Sequence, residues 1–521
     1  MNDGTMQPYR LTLDKFLDHA AKWHAGATVA TAADDGAVAH SDYATLRRQA
    51  RRVSAWLTGL GVTRGDSVAT LAWNSGAHLA AWYGILGLGA ICHTLNPRLT
   101  DAQSADMVTR SGARVLIASA DLAPLARRIA AAAPVVTELF LIDGEGDLPA
   151  LEPALDGVDA SAVRWGEFDE HSPAGLCFTS GTTGAPKGVL YTHRSGHLHT
   201  LRSLQADVLG LGAHDVVLTA VPMFHANAWG LPFAAPAVGA RLVLPGRHLD
   251  GASLATLING EGVTLAAGVP TVWLGLLNHV EAEGLALPTL KRIMVGGAPM
   301  SAALMERLEQ RLGVVVQTSW GMTELSPLGT IMPAGEPRRD AASAGRVSVG
   351  VDLLLTDDQG APLPQQRNAE GHLRVRGPAV VARYLGQTDS ALDADGWFAT
   401  GDLARLDDQG RLFITGRAKD LIKSGGEWIN PAELEAIVGA LPRVAQAAVI
   451  ARPDARWGER PLLIVEIKDG QSIEDGEILD AMRGRVASWW LPDAVVRVDS
   501  MPLAATGKID KKRLRAEYGQ A

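Results

Sequence analysis

A chain of 521 residues is too long for one hydrophobic core, so two or more domains are expected. Its 47% apolar and 20% charged content describes a globular enzyme and excludes a disordered chain. The formal net charge of −9 argues against a general nucleic-acid binder, which would carry a basic stripe, yet leaves room for a local basic pocket. From the first residue onward, no basic region is followed by an apolar stretch, so no signal peptide is expected. Residues 66–71 read as a strand, and the uncharged run 79–92 as a buried helix too short to span a bilayer. Residues 113–117 form the next strand candidate. Two cysteines, Cys92 and Cys177, sit among apolar residues and read as buried thiols of a cytoplasmic protein, not as a disulfide or a nucleophile.

The run Phe178-Thr179-Ser180-Gly181-Thr182-Thr183-Gly184-Ala185-Pro186-Lys187-Gly188 concentrates backbone donors, hydroxyls and one cation in a loop too rich in glycine for regular structure. Such a loop cradles a polyphosphate, with Thr179, Ser180, Thr183, Gly184 and Lys187 as its contacts. The Walker pattern is excluded because Lys187 precedes Gly188 and not the Ser or Thr that would hold magnesium. ATP is the ligand this loop suggests, without attack at the γ-phosphate being required.

Residues 216–219 and 292–295 are further strands, and with the helical runs between them they predict α/β layers on a largely parallel sheet. Between them, His225 and Trp229 lie one helical turn apart, as packed core residues or as the wall of an apolar pocket. Gly296-Gly297-Ala298-Pro299 reads alone as a tight turn. After the strand-like 314–316 come Thr318, Ser319, Trp320, Gly321, Met322, Thr323 and Glu324. An aromatic beside a glycine can stack on a purine, and Glu324 is a hard oxygen ligand suited to magnesium on phosphates.

From about residue 345 to 383 short strands and Gly/Pro turns predict a β-rich subdomain. Asp402, just after a glycine turn, can accept both hydroxyls of a ribose. Residues 413–423 read as strand, sharp turn, strand. Asn430-Pro431-Ala432-Glu433 then starts a helix, with Asn430 as cap, Pro431 in the first turn and Leu434, Ile437, Val438 and Leu441 on one apolar face. Strand-like runs 447–451 and 461–467 complete an α+β module. The expected division is 1–416 for a large domain, 417–420 for the turn between the two and 421–521 for a small α+β cap.

Taken together and in this order, the motifs from Thr179 to Lys508 closely resemble the adenylate-forming superfamily, in its acyl-CoA synthetase branch. The resemblance implies roles. Trp320, where the family usually has tyrosine, would stack on adenine, with Thr318 and Ser319 beside it. Thr323 would contact the α-phosphate, Glu324 and Thr179 would hold Mg²⁺, and Gly297 would line the adenine and acyl pockets. Asp402 and Arg417 would hold the ribose. Lys508, at the glycine turn near the end, would reach the carboxylate and α-phosphate, where a movable cation neutralises charge built up during attack. Lys419 resembles the pivot about which the small domain turns, which implies that the turn 417–420 is a hinge and the cap mobile. Lys423 and Trp428 would lie near the nucleotide, and Gly425 and Gly426 would line the passage for coenzyme A. His225 and Trp229 resemble the acyl pocket of fatty acyl-CoA synthetases and of 3-methylthiopropionate–CoA ligases.

The implied reaction joins a carboxylic acid to CoA through an acyl-adenylate, using ATP, Mg²⁺ and CoA. With no charged residue standing out in 221–231, the acid expected is a medium- or long-chain fatty acid, with short thioether and aryl or arylalkyl acids as alternatives. An adenylation module that loads a carrier protein, a luciferase-like oxygenase and a non-catalytic nucleotide sensor are the competing readings. Enzymes of this family are often dimers, which makes a homodimer the candidate assembly, though no sequence feature decides it.

Overall fold

The computed structural model describes residues 5–179, 186–337, 339–425, 427–504 and 508–519. Strands and helices alternate through the first three hundred or so residues, as the apolar periodicity requires. A 6-stranded sheet runs in the order Glu138–Ile142, Val115–Ser119, Ser67–Leu71, Ile91–Thr94, Pro173–Phe178, Gly188–Thr192. A 13-stranded sheet contains a parallel block, Thr28–Ala32, Arg241–Leu244, Val216–Thr219, Leu265–Gly268, Arg292–Val295 and Val315–Gly321. Antiparallel strands continue it on the far side of Val315–Gly321. The strands Ser343–Val347, Asp352–Thr356 and Ala369–Arg376 occupy the expected β-rich interval. They do not form a sheet of their own but extend the large one, together with Phe398–Leu406 and Arg411–Arg417.

The main apolar core lies between the two sheets, where Trp82 and Phe233 stack at 5.4 Å between centroids. Its tyrosines are satisfied: Tyr43 donates to Ala240 O at 2.5 Å and Tyr83 to Pro232 O at 2.9 Å. The uncharged run 79–92 is not one helix. Ser75 caps Gly76–Leu88, and Gly89, at φ 80°, ends it in the left-handed conformation. Ile91–Thr94 then enters the sheet as a fully buried strand. Cys92 therefore sits on a strand; both it and Cys177 are buried and free. No helix among the described residues is long and apolar enough to cross a membrane.

A third, 5-stranded sheet forms the C-terminal part, built on the long hairpin Val444–Asp454 and Gly458–Ile467. Between the large sheet's Arg411–Arg417 and this sheet's Ile422–Ser424 lies only the short turn Ala418–Asp420. Asn430 ties the two parts together. Its Oδ1 accepts from Ala432 N at 3.1 Å as a helix cap, while its Nδ2 donates to Thr415 O at 2.6 Å. A side chain on Gly416 would not fit there, since its Cβ would fall 2.7 Å from Asn430 Oδ1.

Candidate active site

Val315–Gly321 is the joint of the large sheet. Residues Val315 to Thr318 pair parallel with Arg292–Val295, and Ser319 to Gly321 pair antiparallel with Leu328–Ile331. In α/β sheets ligands usually lie at the carboxyl ends of the parallel strands, which is where Ser319 to Gly321 lead the chain. The hydroxyls at the joint are committed to the backbone: Thr318 Oγ1 donates to Ser343 O at 2.6 Å and Ser319 Oγ to Val295 O at 2.9 Å. Trp320 is 8% exposed and packs with Leu325, Ala344 and Leu355. Its ring lies over Gly329, where a Cβ would come within 2.5 Å of the indole.

The chain then turns through Thr323–Leu325. Thr323 O accepts from the Tyr191 hydroxyl at 2.8 Å, and the buried Glu324 accepts at Oε1 from the Tyr384 hydroxyl at 2.9 Å. Lys187 Nζ sits 4.8 Å above the same Tyr384 ring. The end of the phosphate-loop motif is thus beside Glu324. That loop is closed by Thr179 N donating to Lys187 O at 2.9 Å and Lys187 N to Thr179 Oγ1 at 3.4 Å. Ser180, Thr183 and Gly184, expected on the same loop, lie outside the described residues, as does Gly426.

Asp402 is 1% exposed and follows Gly401 on Phe398–Leu406, directly across the ladder from Arg417. Arg417 Nε lies 2.7 Å from Oδ1, but out of line for a hydrogen bond, so Oδ1 is a buried acceptor without one. Oδ2 accepts from the Trp320 indole N–H at 2.9 Å. Burial pushes the Asp402 pKa up, opposed by Arg417, the Trp320 N–H, Lys508 and Lys419. Lys508 arrives from the far end of the chain. Burial lowers its pKa below the ordinary lysine value and Arg417 adds to this, while Asp402 and Glu324 oppose it. Lys508 keeps accessible surface and is also enclosed by protein atoms, the situation of a side chain in an open crevice.

Lys508 also acts on His225, whose pKa burial pushes down to about 4, with Lys508 and Arg98 contributing, so the ring is neutral at pH 7. The turn after it is left-handed: Ala226, Asn227, Ala228 and Trp229 have φ of 45°, 55°, 47° and 55°. The expected single turn between His225 and Trp229 therefore exists with the opposite hand. Such backbone costs L-residues about 1–2 kcal/mol each and persists only where packing imposes it. Ala226, Ala228 and Trp229 are buried, and the Trp229 ring lies against Gly296 and Gly297. A Cβ on Gly296 would fall 2.6 Å from Ser319 Oγ and 3.2 Å from Trp229 Cη2, and Gly297 has φ 79°. Glycine is required at both positions.

Lys419 is exposed on the turn Ala418–Asp420, and its neighbour Asp420 pairs with Arg515. Lys423 and Trp428 face each other across their hairpin at 5.4 Å, both exposed. Gly425, at φ 61°, is exposed beside the Trp457 ring and donates to Trp457 O at 2.7 Å. Of these, Lys419 acts on the charge of Asp402, while Lys423, Trp428 and Gly425 make their contacts within the C-terminal part. Tyr384 and Arg98 were missed by sequence reasoning. Tyr384 belongs to no motif, and only its position after the β-rich stretch could have drawn attention to it.

The donor set fits a hard divalent cation held chiefly by phosphates. Glu324 offers a carboxylate whose Oε1 is already oriented by Tyr384, and Thr179 stands at the loop end. Among the described residues, no group of three or more His, Cys, Asp or Glu could hold a metal by itself. Magnesium that keeps water and phosphate ligands needs only one or two protein oxygens.

Two family models match the chain: AMP-binding enzyme over residues 17–385, and AMP-binding enzyme C-terminal domain over residues 433–508. The chain is 42% identical to a 3-methylmercaptopropionyl-CoA ligase of Ruegeria lacuscaerulensis, over 99% of this chain and 99% of that protein. It is 40% identical to a medium-chain-fatty-acid–CoA ligase of Ectopseudomonas oleovorans, over 99% of this chain and 97% of the relative. The crystal structure of the anthranilate CoA ligase AuaEII in complex with anthranoyl-AMP superposes with a TM-score of 0.89 at 25% identity, covering 98% of each chain.

Proposed function

The chain belongs to the AMP-binding enzyme family, and from that premise we propose an ATP-dependent carboxylic acid–CoA ligase that works through an acyl-adenylate. The observation that carries this reading is the meeting of Lys508, Arg417, Asp402 and Glu324, from four separate segments, close enough to act on one another's charge. Two cations and two carboxylates at that point suit a nucleotide whose sugar is gripped by acid and whose phosphate is gripped by base. No covalent nucleophile is needed, because positioning and charge compensation suffice.

In the first half-reaction a carboxylate oxygen attacks the α-phosphorus of ATP, the bond to the β-phosphate oxygen breaks and pyrophosphate leaves. Asp402 and Arg417 hold the ribose, Trp320 the adenine, and Thr323, Lys187 and the loop from Thr179 the phosphates. Bound magnesium would neutralise phosphate charge, with Glu324 and Thr179 as its protein ligands. Lys508 faces the substrate carboxylate and the α-phosphate, and burial lowers its pKa, with Arg417 adding to the effect. Neutral His225 and the Trp229 ring wall the acid without adding charge.

In the second half-reaction the CoA sulfur attacks the acyl carbon and AMP leaves with the electron pair. The small domain, residues 421–521, turns about Lys419 in the hinge 417–420 against the body 1–416. This exchanges Lys508 for the hairpin that carries Lys423, Gly425, Gly426 and Trp428. The short turn Ala418–Asp420 as the sole covalent link there supports such a motion.

The acid has an apolar tail, with medium- or long-chain fatty acids as the first reading. The second is a short thioether acid such as 3-methylmercaptopropionate, favoured by the Trp229 ring packed on Gly296 and Gly297, which closes the wall close to the reacting carboxylate. Buried free thiols support a reducing, cytoplasmic setting. The test is pyrophosphate release with ATP and Mg²⁺ across saturated acids of graded length, 3-methylmercaptopropionate and aryl acids, with and without CoA. CoA-dependent release of AMP supports the ligase, whereas no adenylate from any acid rules it out.

A further inference from the structure

The ribose-binding carboxylate assigned above is held by an unusual neighbour. Asp402 is almost fully buried, and its two oxygens are treated differently. Oδ2 accepts from the Trp320 indole N–H at 2.9 Å, while Oδ1 has Arg417 Nε at 2.7 Å but no hydrogen bond. A carboxylate on a short side chain can turn about its last bond, and an N–H fixed in a packed ring favours one orientation of its plane. Trp320 is so fixed, with its ring on Gly329 and its flank against Leu325 and Ala344. The indole edge carrying the N–H points at Asp402.

We propose that Trp320 is a positioning residue for sugar recognition: its indole N–H fixes the Asp402 carboxylate so that Oδ1 is presented to a ribose hydroxyl. The inference rests on the nucleotide reading above and adds to it a second role for the aromatic ring. A phenol or phenyl ring at this position would stack equally well but would place no donor at the same edge. Trp320 thereby sets discrimination between ATP and its deoxyribose analogues.

The charged groups that face Asp402 are Arg417 from the neighbouring strand, Lys419 from the following turn and Lys508 from the C-terminal segment. The Trp320 N–H favours the ionised carboxylate alongside them, against burial. Losing it raises the Asp402 pKa further, so nucleotide use fails at a higher pH as acidity increases.

The test compares full-length wild type with Trp320→Phe, and with 3-benzothienylalanine at position 320, which keeps the shape and replaces N–H by sulfur should the phenylalanine variant fold poorly. Pyrophosphate release is measured with ATP, 2′-deoxy-ATP and 3′-deoxy-ATP. Wild type is expected to prefer ATP over at least one analogue by about tenfold in kcat/KM, the effect of one charge-assisted hydrogen bond. Both variants are expected to lose most of that preference, to raise KM for ATP by about tenfold with little change in kcat, and to shift the acid limb of kcat/KM upward in pH. Loss of stacking or packing alone would slow all three nucleotides alike. An unchanged ATP-to-deoxy ratio in a folded variant, or a wild type indifferent to both analogues, overturns the proposal while leaving the ligase reading intact. A wild type that releases no pyrophosphate with any acid overturns the ligase reading instead.

Discussion

Gly296→Ala puts one methyl group into the wall between the acid and the nucleotide. The added Cβ would fall 2.6 Å from Ser319 Oγ and 3.2 Å and 3.6 Å from two carbons of the Trp229 ring. The first distance is impossible, so Ser319 must rotate and give up its 2.9 Å bond to Val295 O. The second needs Trp229 to yield by a few tenths of an ångström, but its turn is buried and already left-handed. Overpacking of this kind costs about 1–3 kcal/mol; taking about 2 kcal/mol, the change is roughly thirtyfold. It should appear in kcat/KM for the acid, measured by pyrophosphate release at saturating ATP. Adding Ser319→Ala removes the closest clash and should recover part of the loss. A Gly296→Ala enzyme with wild-type kcat/KM for every acid would refute the placement of Trp229 against this loop.

Lys508→Ala should slow adenylation by about 10²–10³-fold while leaving thioester formation from supplied acyl-AMP within a few-fold, as separate half-reaction assays would resolve. Because Lys508 must be protonated to act and its pKa is lowered, adenylation should decline on the alkaline side at a pH below that of an ordinary lysine. Lys508→Arg should move that limb to higher pH in a rate–pH profile. Tyr384→Phe removes the hydroxyl bonded to Glu324 but keeps the ring under Lys187, and should raise KM for magnesium-ATP by about tenfold in a titration of the metal complex. Glu324→Ala should weaken magnesium dependence more than Tyr384→Phe does, and an unaltered magnesium requirement would remove Glu324 as a ligand.

Local chemistry was readable from the chain itself. The glycine- and hydroxyl-rich run ending at Lys187, the cap at Asn430 and the alternation of apolar strands with helices each depend on neighbours in sequence, where steric and hydrogen-bonding rules act directly. The run 79–92 misled because a buried helix and a buried parallel strand are equally apolar, and only the left-handed Gly89 separates them. His225 and Trp229 have helical spacing, but the hand of their turn is imposed by burial and is invisible to periodicity. What no local rule could supply is the pairing of distant groups. Trp320 on Asp402, Tyr384 on Glu324 and Lys508 beside Arg417 join segments whose separation along the chain carries no geometric information. The sheet's change of direction at Val315–Gly321 brings them together, because long-range strand order is selected by the whole core and not by any one segment.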